Sequence, residues 1–208
     1  MPNPRSGNEF KIRVFYEWLN RRPHAINAMI PKQGYGAKIG IEHANSAIYG
    51  EFDYTRISTD MFLNISPIND IPAALFTRLK TISIIGDNIP SQDLPAITNN
   101  SPIYIMGQNV LGIHEAIHLR GWNDWRIGDK LVYGTIEPRI GGNQFVLACY
   151  LDFGNAWYSD GEVSDMLYTG GYELRINLGL VVLSYGAAQD FNRWKNNNSP
   201  YNLSLIHI

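Results

Sequence analysis

The sequence predicts an all-β protein: the C-terminal half of an antiparallel transmembrane β-barrel with a long inward-folded loop. Three observations carry that expectation. Segments of about ten residues alternate apolar and polar side chains, the pattern of a barrel strand. Their polar faces carry full charges, as a wet lumen permits. One long connection, about residues 87–128, interrupts the alternation and is too apolar to be plain coil.

Glu9 to Leu19 is the clearest strand. Phe10, Ile12, Val14, Tyr16 and Trp18 point one way, and Glu9, Lys11, Arg13 and Glu17 the other, because side chains reverse at each residue. Tyr54 to Ile65 sets Ile57, Met61, Leu63 and Ile65 against Arg56, Ser58, Asp60 and Asn64. Gln144 to Trp157 sets Phe145, Leu147, Cys149, Leu151 and Phe153 against Tyr150 and Asp152. Tyr172 to Leu180 sets Tyr172, Leu174, Ile176 and Leu178 against Glu173, Arg175 and Asn177. Less regular candidates are Tyr35 to Ala44, Leu75 to Gly86, Lys130 to Ile140 and Val181 to Gln189. Turn signals separate most of them: Arg21-Arg22-Pro23, Pro67-Ile68-Asn69-Asp70, Gly141-Gly142-Asn143 and Asp160-Gly161. A soluble sandwich or barrel shows the same alternation. Several segments here approach twice the usual soluble strand of about five or six residues, the length a tilted strand needs to cross a bilayer.

Composition bounds the rest. Aromatics make up 12% of 208 residues, and no apolar run reaches the ~18 residues of a spanning helix. A net charge of −2 gives no reason to expect a nucleic-acid partner. The single Cys149 excludes an internal disulfide and a cysteine-based zinc site. No secretory signal is visible at Met1, so the chain reads as a fragment with 1–202 a partial barrel domain. Leu203-Ser204-Leu205-Ile206-His207-Ile208 matches the translation of a sequencing adapter, and 203–208 is set aside on that ground; a natural alternating strand is the other reading.

The long connection ends in His118-Leu119-Arg120-Gly121-Trp122. An arginine folded into the interior needs a carboxylate, since an unpaired buried charge is strongly disfavoured. Asp152 lies on the polar face of its strand, and Glu137 does so if Tyr133, Thr135 and Arg139 face inward. A bidentate Arg120–Asp152 pair would pin the loop tip, and Gly121 would allow close approach or positive φ there.

These residues resemble, in order, the bacterial surface-antigen superfamily of outer-membrane assembly and two-partner-secretion barrels. The carriers are Leu119-Arg120-Gly121-Trp122, Gly128-Asp129-Lys130-Leu131, Thr135-Ile136-Glu137-Pro138-Arg139 and Leu151-Asp152-Phe153-Gly154-Asn155-Ala156-Trp157. The resemblance runs on through Glu173-Leu174-Arg175-Ile176-Asn177 and Val182-Leu183-Ser184-Tyr185-Gly186, with Phe52-Asp53-Tyr54-Thr55-Arg56 a weaker match upstream. It implies a bacterial outer-membrane protein that inserts or translocates client polypeptides, in contact with lipid and with periplasmic or assembly partners, using no cofactor. It also implies roles: Arg120 locks the loop, Asp152 of the Asp-x-Gly strand accepts it beside Gly154, Glu137 supports it and Trp122 anchors the packing. Pro138 departs from the family pattern and implies an edge, a bulge or a local interruption. A passive pore is the alternative within the same architecture.

A rival motif overlaps the loop. His114-Glu115-Ala116-Ile117-His118 matches H-E-x-x-H, and Asp124 extends it. On a helix, His114, His118 and Asp124 would hold zinc while Glu115 deprotonates its water, a metallopeptidase arrangement. Gly107 and Gly112 just upstream, and the strand-like segments that follow, weigh against that helix.

Overall fold

The computed structural model of the chain describes residues 5–21, 33–66, 72–98, 104–105, 108–109, 116–161, 165–178, 182–194 and 202–207. In chain order the first four strands are β1 (Lys11–Arg21), β2 (Gly34–Ala44), β3 (Asp53–Ile65) and β4 (Ala73–Asn88). Five short pieces of the connection follow: β5 (Ala96–Thr98), β6 (Tyr104–Ile105), β7 (Gln108–Asn109), β8 (Ala116–His118) and β9 (Arg126–Ile127). The last five are β10 (Lys130–Gly141), β11 (Phe145–Trp157), β12 (Leu167–Asn177), β13 (Val182–Asp190) and β14 (Asn202–His207). Two single helical turns, α1 (Ser46–Tyr49) and α2 (Phe191–Trp194), sit between strands.

The fold is all-β. Nine strands form one sheet in the order β1-β2-β3-β4-β10-β11-β12-β13-β14, each pair antiparallel. β1 and β14 are its two ends and do not pair with each other, so the sheet is open.

Register carries the alternation across the sheet. Val14, Ile41 and Ile57 stand side by side in one row and are exposed. One residue along, Arg13, Glu42 and Arg56 form a charged row on the opposite face, where Glu42 and Arg56 are buried. The same parity sets Thr135, Asp152 and Thr169 in a buried row farther round.

That face is covered by the long connection. β5 runs between β8, which is parallel to it, and β9, which is antiparallel. Ile97, Leu119 and Trp122 of the connection pack into a core with Tyr54, Ile82, Ile84, Leu131, Tyr133, Ala156 and Leu167 of the sheet. Backbone bonds fix its end: Gly128 donates to the Pro95 carbonyl and Ile84 to that of Asp129, at 3.3 and 2.8 Å.

The strand bounds and the long connection differ in places from the sequence expectation. β12 begins at Leu167, five residues before Tyr172, with Gly170 and Gly171 inside the strand. There, a Cβ on Gly171 would lie 2.1 Å from the Ala187 carbonyl oxygen, so the neighbouring backbone occupies the missing side chain's place. The connection, expected without strands, contains five short ones. The stretch set aside as adapter pairs with β13 as β14, as an alternating sequence does whatever its origin.

Candidate functional site

The tip of the connection is a tight turn in which Trp122 donates its backbone N–H to the Leu119 carbonyl at 3.1 Å. Arg120 and Gly121 are its central residues. Gly121 has φ +82°, a left-handed conformation that L side chains rarely adopt. A Cβ there would also lie 2.6 Å from the Ala188 Cβ of β13. Leu119 and Trp122, on either side, are buried in the core described above. Packing on both flanks therefore aims Arg120 at the sheet.

Arg120 reaches three strands. Its Nε and Nη2 donate to Asp152 Oδ2 and Oδ1 at 2.8 and 2.7 Å, a bidentate pair. Nη1 donates to Glu137 Oε2 at 2.7 Å, and Nη2 also reaches Thr135 Oγ1 at 3.0 Å. The guanidinium carbon lies 3.5 Å above the centre of the Tyr150 ring, within cation–π range. Glu173 of β12 stands 3.6 Å from Nη1. Burial works against the charge, but hydrogen bonding to Asp152 and the charges of Asp152 and Glu137 outweigh it. The guanidinium is held well above its ordinary value.

The carboxylates are more deeply buried than the arginine that meets them: Asp152 is 0% and Glu137 2% exposed. Glu137 accepts from Arg139 Nε at 2.6 Å and is paired with Arg175 Nη2 at 2.9 Å. Arg175 also bonds Glu173 at 2.8 Å. Arg120, Arg139 and Arg175 thus face Asp152, Glu137 and Glu173, and the charges of this buried network balance. Gly154 has a separate task. A Cβ there would lie 2.7 Å from Ile97 Cδ1, so its absence makes room for β5 against the sheet.

Five of the six residues singled out in the sequence, Arg120, Gly121, Trp122, Glu137 and Asp152, therefore meet around one loop tip, whereas Gly154 lies against Ile97 of β5. Tyr150, Glu173 and Arg175 complete the network and were not assigned a role there. Their parity with Asp152 and Glu137 was the available signal.

A second anchor was missed altogether. Asp93, in a single 3-10 turn (Ser91–Asp93), lies where the connection leaves β4. The Tyr54 hydroxyl is 2.6 Å from Asp93 Oδ2 and 2.6 Å from Glu9 Oε1, so its one proton serves one carboxylate at a time. Lys11 Nζ lies 3.0 Å from Glu9, 3.1 Å from Asp93 and 3.5 Å from Glu42, while Arg13 pairs with Glu42. Arg56 Nη1 donates to the Asp93 backbone carbonyl at 3.3 Å. Burial opposes ionisation of Asp93, but the Tyr54 hydrogen bond and the Lys11 charge outweigh it and hold the carboxyl below its ordinary value.

The described half of the zinc motif lacks the helical geometry that the motif requires. Ala116–His118 is extended and runs parallel to Ala96–Thr98, so its described half is strand and not the helix that brings two histidines onto one face. Asp124 is exposed, and its carboxylate accepts the Trp125 backbone N–H at 2.8 Å. His114 and Glu115 lie outside the described residues.

Compared with protein-family models and with curated proteins, the chain matches none.

Proposed function

We infer that this chain is the C-terminal part of a bacterial outer-membrane β-barrel that inserts or translocates client polypeptides, its loop held in the lumen by Arg120. The observation that carries the reading is an inverted distribution of side chains. Val14 and Tyr16 are 68% and 70% exposed, and Ile12, Ile41, Ile57, Leu79, Ile140, Leu147 and Leu151 are exposed to between 40% and 53%. Glu42, Arg56, Glu137 and Asp152 are buried on the other face. In water that arrangement leaves a broad apolar surface bare, whereas a bilayer covers it and leaves the charges in a polar interior.

Strand length supports the same reading. The eight principal strands, β1–β4 and β10–β13, span 9 to 16 residues, against the ~9–11 that a tilted strand uses to cross a bilayer. The aromatics Tyr16, Trp18 and Tyr35 cluster near one end of β1 and β2, and Tyr158 and Tyr168 lie toward the opposite rim, as interfacial girdles do. The order of motifs around Arg120, Glu137 and Asp152 favours the assembly and secretion family over other barrels. Such a barrel needs no catalytic group. It offers strand edges, an openable seam and a guarded lumen to a client chain.

The test has two arms. The 208-residue chain is expected to fold in detergent micelles or lipid vesicles and to aggregate in plain buffer; a monomeric, cooperatively folding sample in plain buffer overturns the membrane assignment. Carried in its complete barrel and reconstituted in vesicles, it is expected to accelerate insertion or passage of a client polypeptide. Ion conductance with no effect on any client assigns a passive pore instead.

A further inference from the structure

β10 pairs with β4 continuously from Lys130 to Ile140. On its other side it pairs with β11 from Lys130 to Ile136, and again from Arg139 to Gly141. Glu137 and Pro138 are skipped, yet the register on either side of the break is the same. Proline explains this without any bulge. Alternate residues of a strand turn their backbone groups to alternate neighbours, so Ile136, Pro138 and Ile140 all address β11. The flanking register sets Pro138 against Cys149, and the missing bond is the one an N–H at 138 would give the Cys149 carbonyl. On the outer face beside it lies an apolar pocket of about 280 Å³, lined among others by Ala73, Leu75, Pro138, Ile140, Leu147 and Cys149.

Arg120 spans the same break from the inner face. One arm of its guanidinium holds Glu137 of β10, the edge carrying Nε and Nη2 holds Asp152 of β11, and the plane rests on Tyr150, which the register sets opposite Glu137. We propose that Arg120 is a staple for the β10–β11 seam: the docked loop supplies through a side chain the cross-strand tie that Pro138 denies to the backbone. Loop release and loosening of this seam are then one event, and the seam opens toward the apolar pocket. This concerns the sheet itself and stands or falls apart from the membrane reading.

Hydrogen exchange on the folded 208-residue chain, wild type and variants, tests it. The seam-facing amides are those of Ile136, Ile140, Leu147, Cys149 and Leu151; those of Thr135, Glu137 and Arg139 face β4 and serve as the internal control. Arg120→Ala is expected to raise exchange at the seam by roughly fivefold or more above any rise at the β4-facing amides. Arg120→Lys, which keeps the charge but not the two-carboxylate grip, gives a smaller rise at the same amides. Adding Pro138→Ala to Arg120→Ala restores an N–H to the ladder and returns protection to the seam. Equal loss on both sides of β10, no change at the seam, or no recovery with Pro138→Ala overturns the proposal.

Discussion

Arg120 and Asp152, 32 residues apart in sequence, meet edge to edge with both guanidinium–carboxylate contacts at 2.7–2.8 Å. The carboxylate is fully buried and the arginine comes from a different structural unit, so the pair joins the loop to the sheet.

Removing either partner is expected to be costly and removing both only slightly more so. Arg120→Ala strands the buried Asp152 carboxylate, and Asp152→Ala upsets the charge balance of the buried network; each destabilises by about 3–5 kcal/mol, and the double variant stays near the larger single value. Denaturant unfolding in micelles measures this. Additive losses mean that the two side chains do not act together.

Gly121→Ala brings two separable penalties, the left-handed φ and the contact with Ala188. Together they destabilise by about 1–3 kcal/mol. Adding Ala188→Gly relieves the contact and leaves the backbone term, so partial rescue is expected. Complete rescue means that φ contributes nothing.

The Asp93 anchor has an acid limit. Its folded pKa lies below the ordinary 3.8, so its contribution is complete above pH 3.8 and is lost as pH falls through the lowered value. Groups facing it are Tyr54, Glu9, Glu42, Lys11 and Arg56. Hydrogen exchange at Leu94 to Thr98 is expected to speed up on acidification below that point. Asp93→Asn removes this acid-dependent step, and an unchanged step in that variant assigns the effect to a neighbour.

A charge on the outer face discriminates lipid from water. Leu151→Arg is expected to destabilise the chain in vesicles by about 2–4 kcal/mol if that face lies near the bilayer midplane. On a water-facing surface the same change stays within about 0.5 kcal/mol. Equilibrium unfolding from vesicles reads the difference, and a neutral result argues for water.

Much of this architecture was legible because period-two alternation is local. Lys130 to Ile140 and Gln144 to Trp157 were readable within a residue or so of β10 and β11; parity put Asp152 on its strand's polar face, and Glu137 beside it once Tyr133, Thr135 and Arg139 were set inward. Arg120 was legible because a charge in an apolar loop demands a partner. Long-range register was not legible. Nothing local in Ser91–Asp93 says that Asp93 will meet Tyr54, and nothing in Ala116–His118 says that it will run parallel to Ala96–Thr98. Gly170 and Gly171 precede the expected start at Tyr172 and are tolerated inside the strand, where Phe191 and the β13 backbone fill the gap.

The unequal provision of cations around Glu137 and Asp152 bears on what the sheet gains from the docked loop. Glu137 keeps Arg139 and Arg175 from the strands themselves, whereas among the described residues Arg120 is the cation that meets Asp152. A sheet assembled ahead of its loop is already neutralised at Glu137 and carries a debt of one proton or a few waters at Asp152. Arrival of the loop tip discharges it, so the pairing at Asp152 is complete only when the loop is docked.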